Sequence, residues 1–226
     1  AKLEVTGKSA GTTILTLEMG LETKEIAVTV KKNTDAKIEF ADASKNVKTA
    51  QFKSYNFKNV DASDIKQVKF TYDKDDVLKM VSNADHSYTP VALKDHGTVK
   101  VNAEITLKNG LKEIVGEQEF TVVPADENAV IIKDYDLYKG MKSNGASADA
   151  DKDGIISKNE IRNVDDIEVV NSSIEDLTGV EQAVNCKKVD FSNDAMLKDI
   201  APLAKLANLT SVNLRDTSVR DITALK

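Results

Sequence analysis

The chain is poor in the residues that support disulfides, ring stacking or membrane insertion. It has one cysteine, Cys186, no tryptophan, and only 5% aromatic residues among its 226 positions. A single cysteine excludes an internal disulfide, although it fits a cytosolic and an exported protein equally well. The lack of tryptophan argues against a sugar-binding platform of stacked indole rings. No run of 18 apolar residues occurs, so no segment is predicted to insert into a membrane.

The charge balance narrows the class of partner. Lys and Arg number 31 and Asp and Glu number 37, which gives a net charge of −6. An acidic chain is not expected to bind nucleic acid or an anionic membrane. The sequence shows neither a signal-peptide pattern nor an initiator Met, and it begins within a predicted strand. We therefore expect a fragment of a longer protein.

Residues 1–33 alternate apolar and polar side chains with the period of a β-strand. The apolar runs contain Ile14, Leu15 and Leu17, then Ile26, Val28 and Val30, with Met19-Gly20-Leu21 at the turn between them. Two or three strands cannot bury a core alone. The segment VTGKSAGTTILTLEMGLETKEIAVTV resembles bacterial group 2 immunoglobulin-like domains, in which V-x-G, A-G-T and V-T-V steps recur. The resemblance implies the C-terminal part of such a domain.

Residues 34–126 are predicted to form an immunoglobulin-like β-sandwich, because short strands alternate with turn residues. The predicted strands are Lys37–Phe40, Val68–Tyr72, Val99–Leu107 and Ile114–Val123. Asn109-Gly110 predicts a hairpin between the last two strands. Pro124 begins a predicted linker.

Residues 127–163 are predicted to form a helical cap with a calcium loop. Asp134–Met141 has a helical pattern that Ser143-Asn-Gly145 is expected to end. The following twelve residues match an EF-hand-like loop, with Asp149, Asp151, Asp153, the Ile155 carbonyl, Ser157 and Glu160 as the predicted Ca²⁺ ligands. This spacing serves the six to eight oxygens that Ca²⁺ takes at roughly 2.3–2.6 Å. Gly154 permits the sharp turn, and Ile156 is expected to anchor the loop in the core.

Alternatives to a calcium site are an acidic surface turn that binds no metal and a Mg²⁺ site, which needs fewer carboxylates. The match at every informative position favours calcium. The loop also resembles those of dockerin modules, but these carry two copies and this chain has one. Single loops of extracellular modules bind at about 10⁻⁴–10⁻³ M, so we expect a structural role outside the cell. Calcium would fix the cap over the open end of the repeat stack.

Residues 164–226 contain an internal repeat. Equivalent apolar positions are separated by 189 − 167 = 22 and 212 − 189 = 23 residues, within the range of leucine-rich repeats. The segment DIAPLAKLANLTSVNLRDTSVRDITALK resembles the internalin-type repeats of Gram-positive surface proteins. Ser172, Asp194 and Thr217 replace the usual turn asparagine, so irregular turns are expected, and the array is expected to continue past Lys226.

Outward residues of the repeat strands define a polar strip on the concave face. By register these are Asp166, Glu168, Val170, Lys188, Asp190, Ser192, Ser211, Asn213 and Arg215. Glu168, Lys188, Asp190, Asn213 and Arg215 are the predicted partner-binding residues, and plain solvated surface is the alternative for each. Cys186 lies on a core position and is interpreted as a buried apolar residue rather than a nucleophile.

The whole pattern predicts a multidomain, mainly β chain: immunoglobulin-like sandwiches, a calcium-loop helical cap and a short leucine-rich repeat solenoid. No catalytic constellation is recognised. The resemblance to internalin-type proteins implies a non-enzymatic adhesion or interaction protein, secreted or on the cell surface, that binds a protein or glycan ligand. The alternatives are a structural surface spacer and an accessory region of a larger secreted hydrolase. The oligomeric state stays open.

Overall fold

The computed structural model describes residues 11–19, 22–30, 37–143 and 148–226. Strands dominate its regular structure, which confirms the prediction of a mainly β chain. The α-helices in these residues are α1 (Tyr135–Ser143) and α2 (Lys158–Ile161). Neither described helix has the length and apolar character needed to cross a membrane.

The first described unit is a β-hairpin. Strands β1 (Gly11–Met19) and β2 (Glu22–Val30) pair antiparallel along their full length, as the alternating pattern predicted. The predicted turn residues 20–21 lie outside the described residues. Ile14 is 60% exposed and Ile26 is 39% exposed, so the pair leaves apolar side chains in water and does not build a core of its own.

The second unit contains two sheets. In the larger sheet the order is β3-β8-β7-β4, with β3 parallel to β8 and the other pairs antiparallel. Its strands are β3 (Asn46–Lys48), β4 (Ile65–Tyr72), β7 (Gly97–Leu107) and β8 (Lys112–Val123). The smaller sheet pairs β5 (Leu78–Ser82) with β6 (Tyr88–Ala92). An isolated antiparallel bridge joins Tyr55 to Tyr88 of β6, and a second one joins Glu39 to Lys58.

The β7–β8 hairpin confirms the strongest local prediction. Alternate residues of β7 from Val99 to Leu107 are buried and the residues between them are not. In the turn, Asn109 Oδ1 accepts a hydrogen bond from the amide of Leu111 at 3.0 Å, which is the local bond that favours Asn in turns. The hairpin therefore follows from period-two burial and turn chemistry together.

The predicted strand Lys37–Phe40 is wrong, because only Glu39 makes a bridge there. Phe40 is instead an anchor of the core between the sheets, with its ring edge-on to Phe120 at 5.3 Å and to Tyr88 at 5.5 Å. The Tyr88 hydroxyl accepts a hydrogen bond from the amide of Ala41 at 2.8 Å. This segment is thus held by the single Glu39–Lys58 bridge together with ring packing and a side-chain acceptor.

The helix predicted at Asp134–Met141 begins where the sequence placed it. Asp134 Oδ1 accepts hydrogen bonds from the amides of Asp136 and Leu137 at 2.8 and 3.1 Å, which satisfies donors at the start of α1. The predicted helix end at 143–145 falls mostly outside the described residues. A Cβ on Gly140 would lie 2.3 Å from a methyl group of Val169. Glycine therefore lets α1 approach the first repeat closely.

The repeats form a parallel sheet in the order β11-β10-β9, with β9 (Asp166–Glu168), β10 (Lys188–Asp190) and β11 (Ser211–Asn213). Ile167, Val189 and Val212 are aligned across it, which confirms the periods of 22 and 23. Short 3-10 helices at Val180–Gln182, Ala201–Lys205 and Thr223–Leu225 follow the strands.

The expectation of irregular turns in the repeats is wrong. Asn171, Asn193 and Asp216 each adopt left-handed backbone, with φ of 55°, 62° and 58°. Asp194 Oδ1 accepts a hydrogen bond from the amide of Ser172 in the preceding repeat at 2.8 Å. In the second repeat a carboxylate oxygen thus binds the backbone of the preceding turn, whereas in the third the Thr217 hydroxyl donates to the Leu214 carbonyl of its own turn at 2.8 Å.

One core runs through the cap and the repeats, from Leu137 and Ile156 to Leu206. It also contains Phe52 and Val91, which lie in the unit with two sheets. This unit and the segment around α1 therefore share buried side chains.

Candidate metal centre and interaction face

The acidic loop brings three carboxylates together. Ligand oxygens of Asp149, Asp151 and Asp153 all lie within 4.8 Å of one another, and Asp149 is buried whereas the other two are exposed. The loop closes through Gly154, whose φ is +90°. A Cβ at this glycine would lie 3.0 Å from the backbone nitrogen of Lys53, so both the turn and its neighbour require glycine.

Asp149 is the buried end of the site. Its Oδ2 accepts a hydrogen bond from the Tyr138 hydroxyl at 2.7 Å, and the Lys142 ammonium lies 3.8 Å from the same oxygen. Burial, reinforced by the bond to Asp149, raises the pKa of Tyr138. Tyr138 thus stays protonated and donates to the carboxylate.

Glu160 closes the loop from its other end. Its Oε1 accepts the amide of Ala150 at 2.8 Å and its Oε2 accepts the amide of Ser157 at 2.9 Å. The Ser157 hydroxyl accepts the amide of Glu160, so the two residues form a capping box at the start of α2. Burial acts to raise the pKa of Glu160, but these hydrogen bonds outweigh it and lower the pKa. The predicted ligands Ser157 and Glu160 are therefore held by the loop backbone.

Asp153 lies in the negative field of its neighbours. Its Oδ1 accepts the amide of Ile155 at 2.7 Å. Burial raises its pKa first, and the charges of Asp151 and Asp149 raise it further. Ile155 itself is bound here through its amide, and Ile156 is buried in the repeat core as expected.

The donor set fits a hard divalent cation. Clustered carboxylate oxygens are the ligands that Ca²⁺ prefers, whereas Zn²⁺ sites are built mainly from Cys and His. The carboxylates of Asp149, Asp151 and Asp153 stand close enough to share one ion. The remaining predicted ligands are not part of this cluster: the Ser157 hydroxyl accepts the Glu160 amide, and both Glu160 oxygens accept loop amides.

Two distant segments support the second half of the loop. The amide of Phe52 donates to the Gly154 carbonyl at 2.7 Å, and Gln51 forms a bridge with Ile155. On the other side, the amide of Val130 donates to the Ile156 carbonyl at 2.8 Å. Sequence reasoning missed these supports, because the contact between Gln51 and Ile155 joins positions far apart in the chain.

The predicted partner-binding residues lie on one face of the repeat sheet. Register aligns Glu168, Asp190 and Asn213 in one row; Lys188 lies in the row beside it, and Arg215 follows two residues after Asn213. Glu168, Lys188 and Arg215 are exposed, whereas Asp190 and Asn213 are half-buried.

Asp190 and Asn213 are joined within this face. Asn213 Nδ2 donates to Asp190 Oδ2 at 2.8 Å, and the amide of Ser192 donates to Asp190 Oδ1 at 2.9 Å. Burial acts to raise the pKa of Asp190, but these bonds and the charge of Arg215 lower it. The Asp190 carboxylate therefore stays charged, and the two hydrogen bonds fix its orientation.

A cleft of ≈ 360 Å³ lies between α1 and the first repeat. Asp136 and Lys139 of α1 line one wall, and Glu168, Val170 and Ser172 line the other. Asp136 and Lys139 form an ion pair at 2.7 Å. Sequence reasoning missed this extension of the concave face, and the only signal was the polar i, i+3 pair on the helix. Elsewhere, Cys186 is buried and burial raises its pKa, which does not fit a reactive thiolate.

Comparisons with known proteins find similar solved structures, among them two internalins. No family model matches the chain, and no curated protein matches it. An internalin (inlF) from Listeria monocytogenes is similar over 43% of this chain and 29% of its own, with 23% identity and a TM-score of 0.38. Internalin C2 (inlC2) from the same organism is similar over 44% and 45%, with 14% identity and a TM-score of 0.39. The chain thus spans less than half the length of either.

Proposed function

We propose that this chain is a non-catalytic interaction protein that binds a partner protein through the concave face of its repeats. The observation that carries the proposal is an open parallel sheet. Parallel sheets are usually covered on both faces, yet Glu168, Lys188 and Arg215 of this sheet are exposed. Solenoids use such uncovered faces for binding. A glycan is the alternative ligand.

The proposal includes an immunoglobulin-like stalk formed by residues 37–126. Its support is the strand order. The larger sheet has four strands, and the β5–β6 pair shares one buried core with it. Two mostly antiparallel sheets around one core are typical of immunoglobulin-like sandwiches. The stalk would present the repeats at a distance from the cell.

The proposal also includes one structural calcium ion. Asp149, Asp151, Asp153 and Glu160 would supply carboxylate oxygens, Ile155 its carbonyl, and Ser157 its hydroxyl directly or through water. A bound cation would offset the repulsion among the three clustered carboxylates. A single loop of this kind fits the calcium concentrations found outside cells, so we place the protein on the cell surface or in the secreted fraction.

A structural spacer is the second candidate, and one contact favours it. Asn213 and Asp190 satisfy each other within the strip, so these two side chains need no partner to complete their hydrogen bonds. In a spacer the strip would only keep the sheet soluble.

The two candidates are separated by reversing charge on the strip. The double variant Lys188→Glu and Arg215→Glu is compared with Lys205→Glu and Arg220→Glu, which changes the same charges at exposed positions outside the strip. Binding of the labelled proteins to intact animal cells and to immobilised glycans is measured. If the face binds, the strip variant loses at least about tenfold in affinity, or about 1.4 kcal/mol, and the control does not. Binding that survives in the strip variant would show that the strip is not the binding site, and a wild type that binds neither cells nor glycans favours the spacer.

A further inference from the structure

The calcium loop also forms the contact between the sandwich and the cap. The bridge between Gln51 and Ile155, and the hydrogen bond from the Phe52 amide to the Gly154 carbonyl, both join the loop to the sandwich sequence. Gln51 Nε2 also donates to the Asp153 carbonyl at 3.3 Å. The segment that would enclose the ion is thus the segment on which the sandwich docks.

Phe52 connects this contact to the buried carboxylate. Its side chain is only 4% exposed, and its ring centroid lies 4.5 Å from that of Tyr138. Tyr138 in turn donates its hydroxyl to Asp149. A side chain from the sandwich therefore packs on the residue that orients the deepest ligand.

Helix α1 makes a second attachment beside the first. The Tyr135 hydroxyl donates to Asn83 Oδ1 at 3.1 Å and lies 3.1 Å from Thr89 Oγ1. The Tyr135 ring also packs against Phe52 at 5.5 Å. The contact between α1 and the sandwich is thus specific, because it includes hydrogen bonds and ring packing and not only apolar burial.

From this geometry we infer that calcium binding and docking of the sandwich on the cap are coupled, with Phe52 as the positioning residue between them. The inference rests on the proposed calcium site. The undocked loop lacks the Gln51 and Phe52 contacts that hold its turn, so its carboxylates gather less readily around an ion. Coupling is reciprocal: docking strengthens calcium binding, and calcium strengthens docking by the same factor. Calcium would thereby set the orientation of the stalk relative to the binding face.

Calcium titration by calorimetry tests the coupling on wild type, Phe52→Ala and Phe70→Ala. Phe70 is a partly buried phenylalanine of the two-sheet unit that packs on its core and makes no contact with the loop, so its loss disturbs that unit less than loss of a fully buried ring. Phe52→Ala is expected to bind calcium roughly 5- to 150-fold more weakly than wild type, and Phe70→Ala to bind like wild type. Phe52→Leu keeps an apolar side chain without the ring and is used if Phe52→Ala does not fold.

Spin labels at Lys66→Cys and Lys205→Cys give the interdomain distance, because both positions are exposed and Cys186 is fully buried. The distance distribution is expected to narrow with calcium in wild type and to stay broad in Phe52→Ala. Wild-type calcium affinity in Phe52→Ala, or an unchanged distribution in a wild type that binds calcium, would overturn the coupling and leave the calcium site standing. A wild type that binds no calcium would overturn both.

Discussion

Two carboxylates of the second repeat, four positions apart, have opposite electrostatic surroundings. Asp190 is half-buried and both of its oxygens accept hydrogen bonds, which lowers its pKa despite the opposing effect of burial. Asp194 is fully buried, and its Oδ2 accepts no hydrogen bond from the described residues. Burial raises the pKa of Asp194, and the amides of Ser172 and Ile174 offset only part of this rise. The sequence located Asp194 at the turn but carried no information on its unpaired oxygen.

Replacing Asp194 by Asn is therefore expected to stabilise the protein at neutral pH, by about 1 kcal/mol, because it removes a buried charge while the side-chain oxygen can still accept the Ser172 amide. The pKa of Asp194 is higher in the folded state than in the unfolded state. Its carboxyl group therefore stabilises the fold fully at pH values below the unfolded pKa, and this stabilisation is lost as the pH rises through the folded pKa. The advantage of Asp194→Asn should thus shrink as pH falls towards 4. Urea unfolding at several pH values measures it.

The control is Asp190→Asn, for which the sign is reversed. The pKa of Asp190 is lower in the folded state than in the unfolded state. Its carboxylate therefore stabilises the fold at pH values above the unfolded pKa, and this stabilisation is lost as the pH falls through the folded pKa. Asp190→Asn should therefore destabilise at neutral pH, with the difference fading in acid. Identical pH profiles for the two variants would contradict the conclusion that burial raises the pKa of Asp194.

Elements with a strong local pattern were predictable, and those held by distant contacts were not. The β7–β8 hairpin, α1 and the repeat strands follow from period and turn residues. Strands β5 and β6 were missed: β5 is short, and Pro90 in β6 weakens a strand pattern. The spacing of the acidic loop is local and was read directly, whereas Tyr138, Gln51 and Phe52 reach it only through tertiary packing.

The loop itself should respond to calcium as an element of stability. Binding to the folded state alone raises stability by about 2.7 kcal/mol at a hundredfold excess over Kd. Wild type is expected to melt at a higher temperature with calcium than with chelator, and Glu160→Gln is expected to lose most of that difference. Differential scanning calorimetry in both buffers measures it. Glu175→Gln, an exposed glutamate outside the loop, should respond to calcium as wild type does.

At the scale of the whole chain, burial is uneven from one unit to the next. Two cores dominate the described residues, one between the sandwich sheets and one through the cap and repeats. The β1–β2 hairpin leaves Ile14 largely exposed, and in the third repeat Val212 and Leu214 are only partly buried. The sharing of Phe52 and Val91 with the repeat core joins the sandwich and the repeats, which sequence boundaries at 126 and 163 did not reveal.

Amide hydrogen exchange should be slowest in the most buried strands and fastest in the least buried ones, because local opening costs least where few apolar contacts are broken. Strands β10 and β11 have the same length, but β10 pairs on both sides, whereas β11 pairs only with β10 among the described residues. We expect slow exchange in β7, β8 and β10, faster exchange in β11, and the fastest in β1–β2. Mass spectrometry of peptic fragments measures this order. Protection of β1–β2 equal to that of β7 would mean that the hairpin packs on a partner surface, and its exposed Ile14 would then be part of an interface.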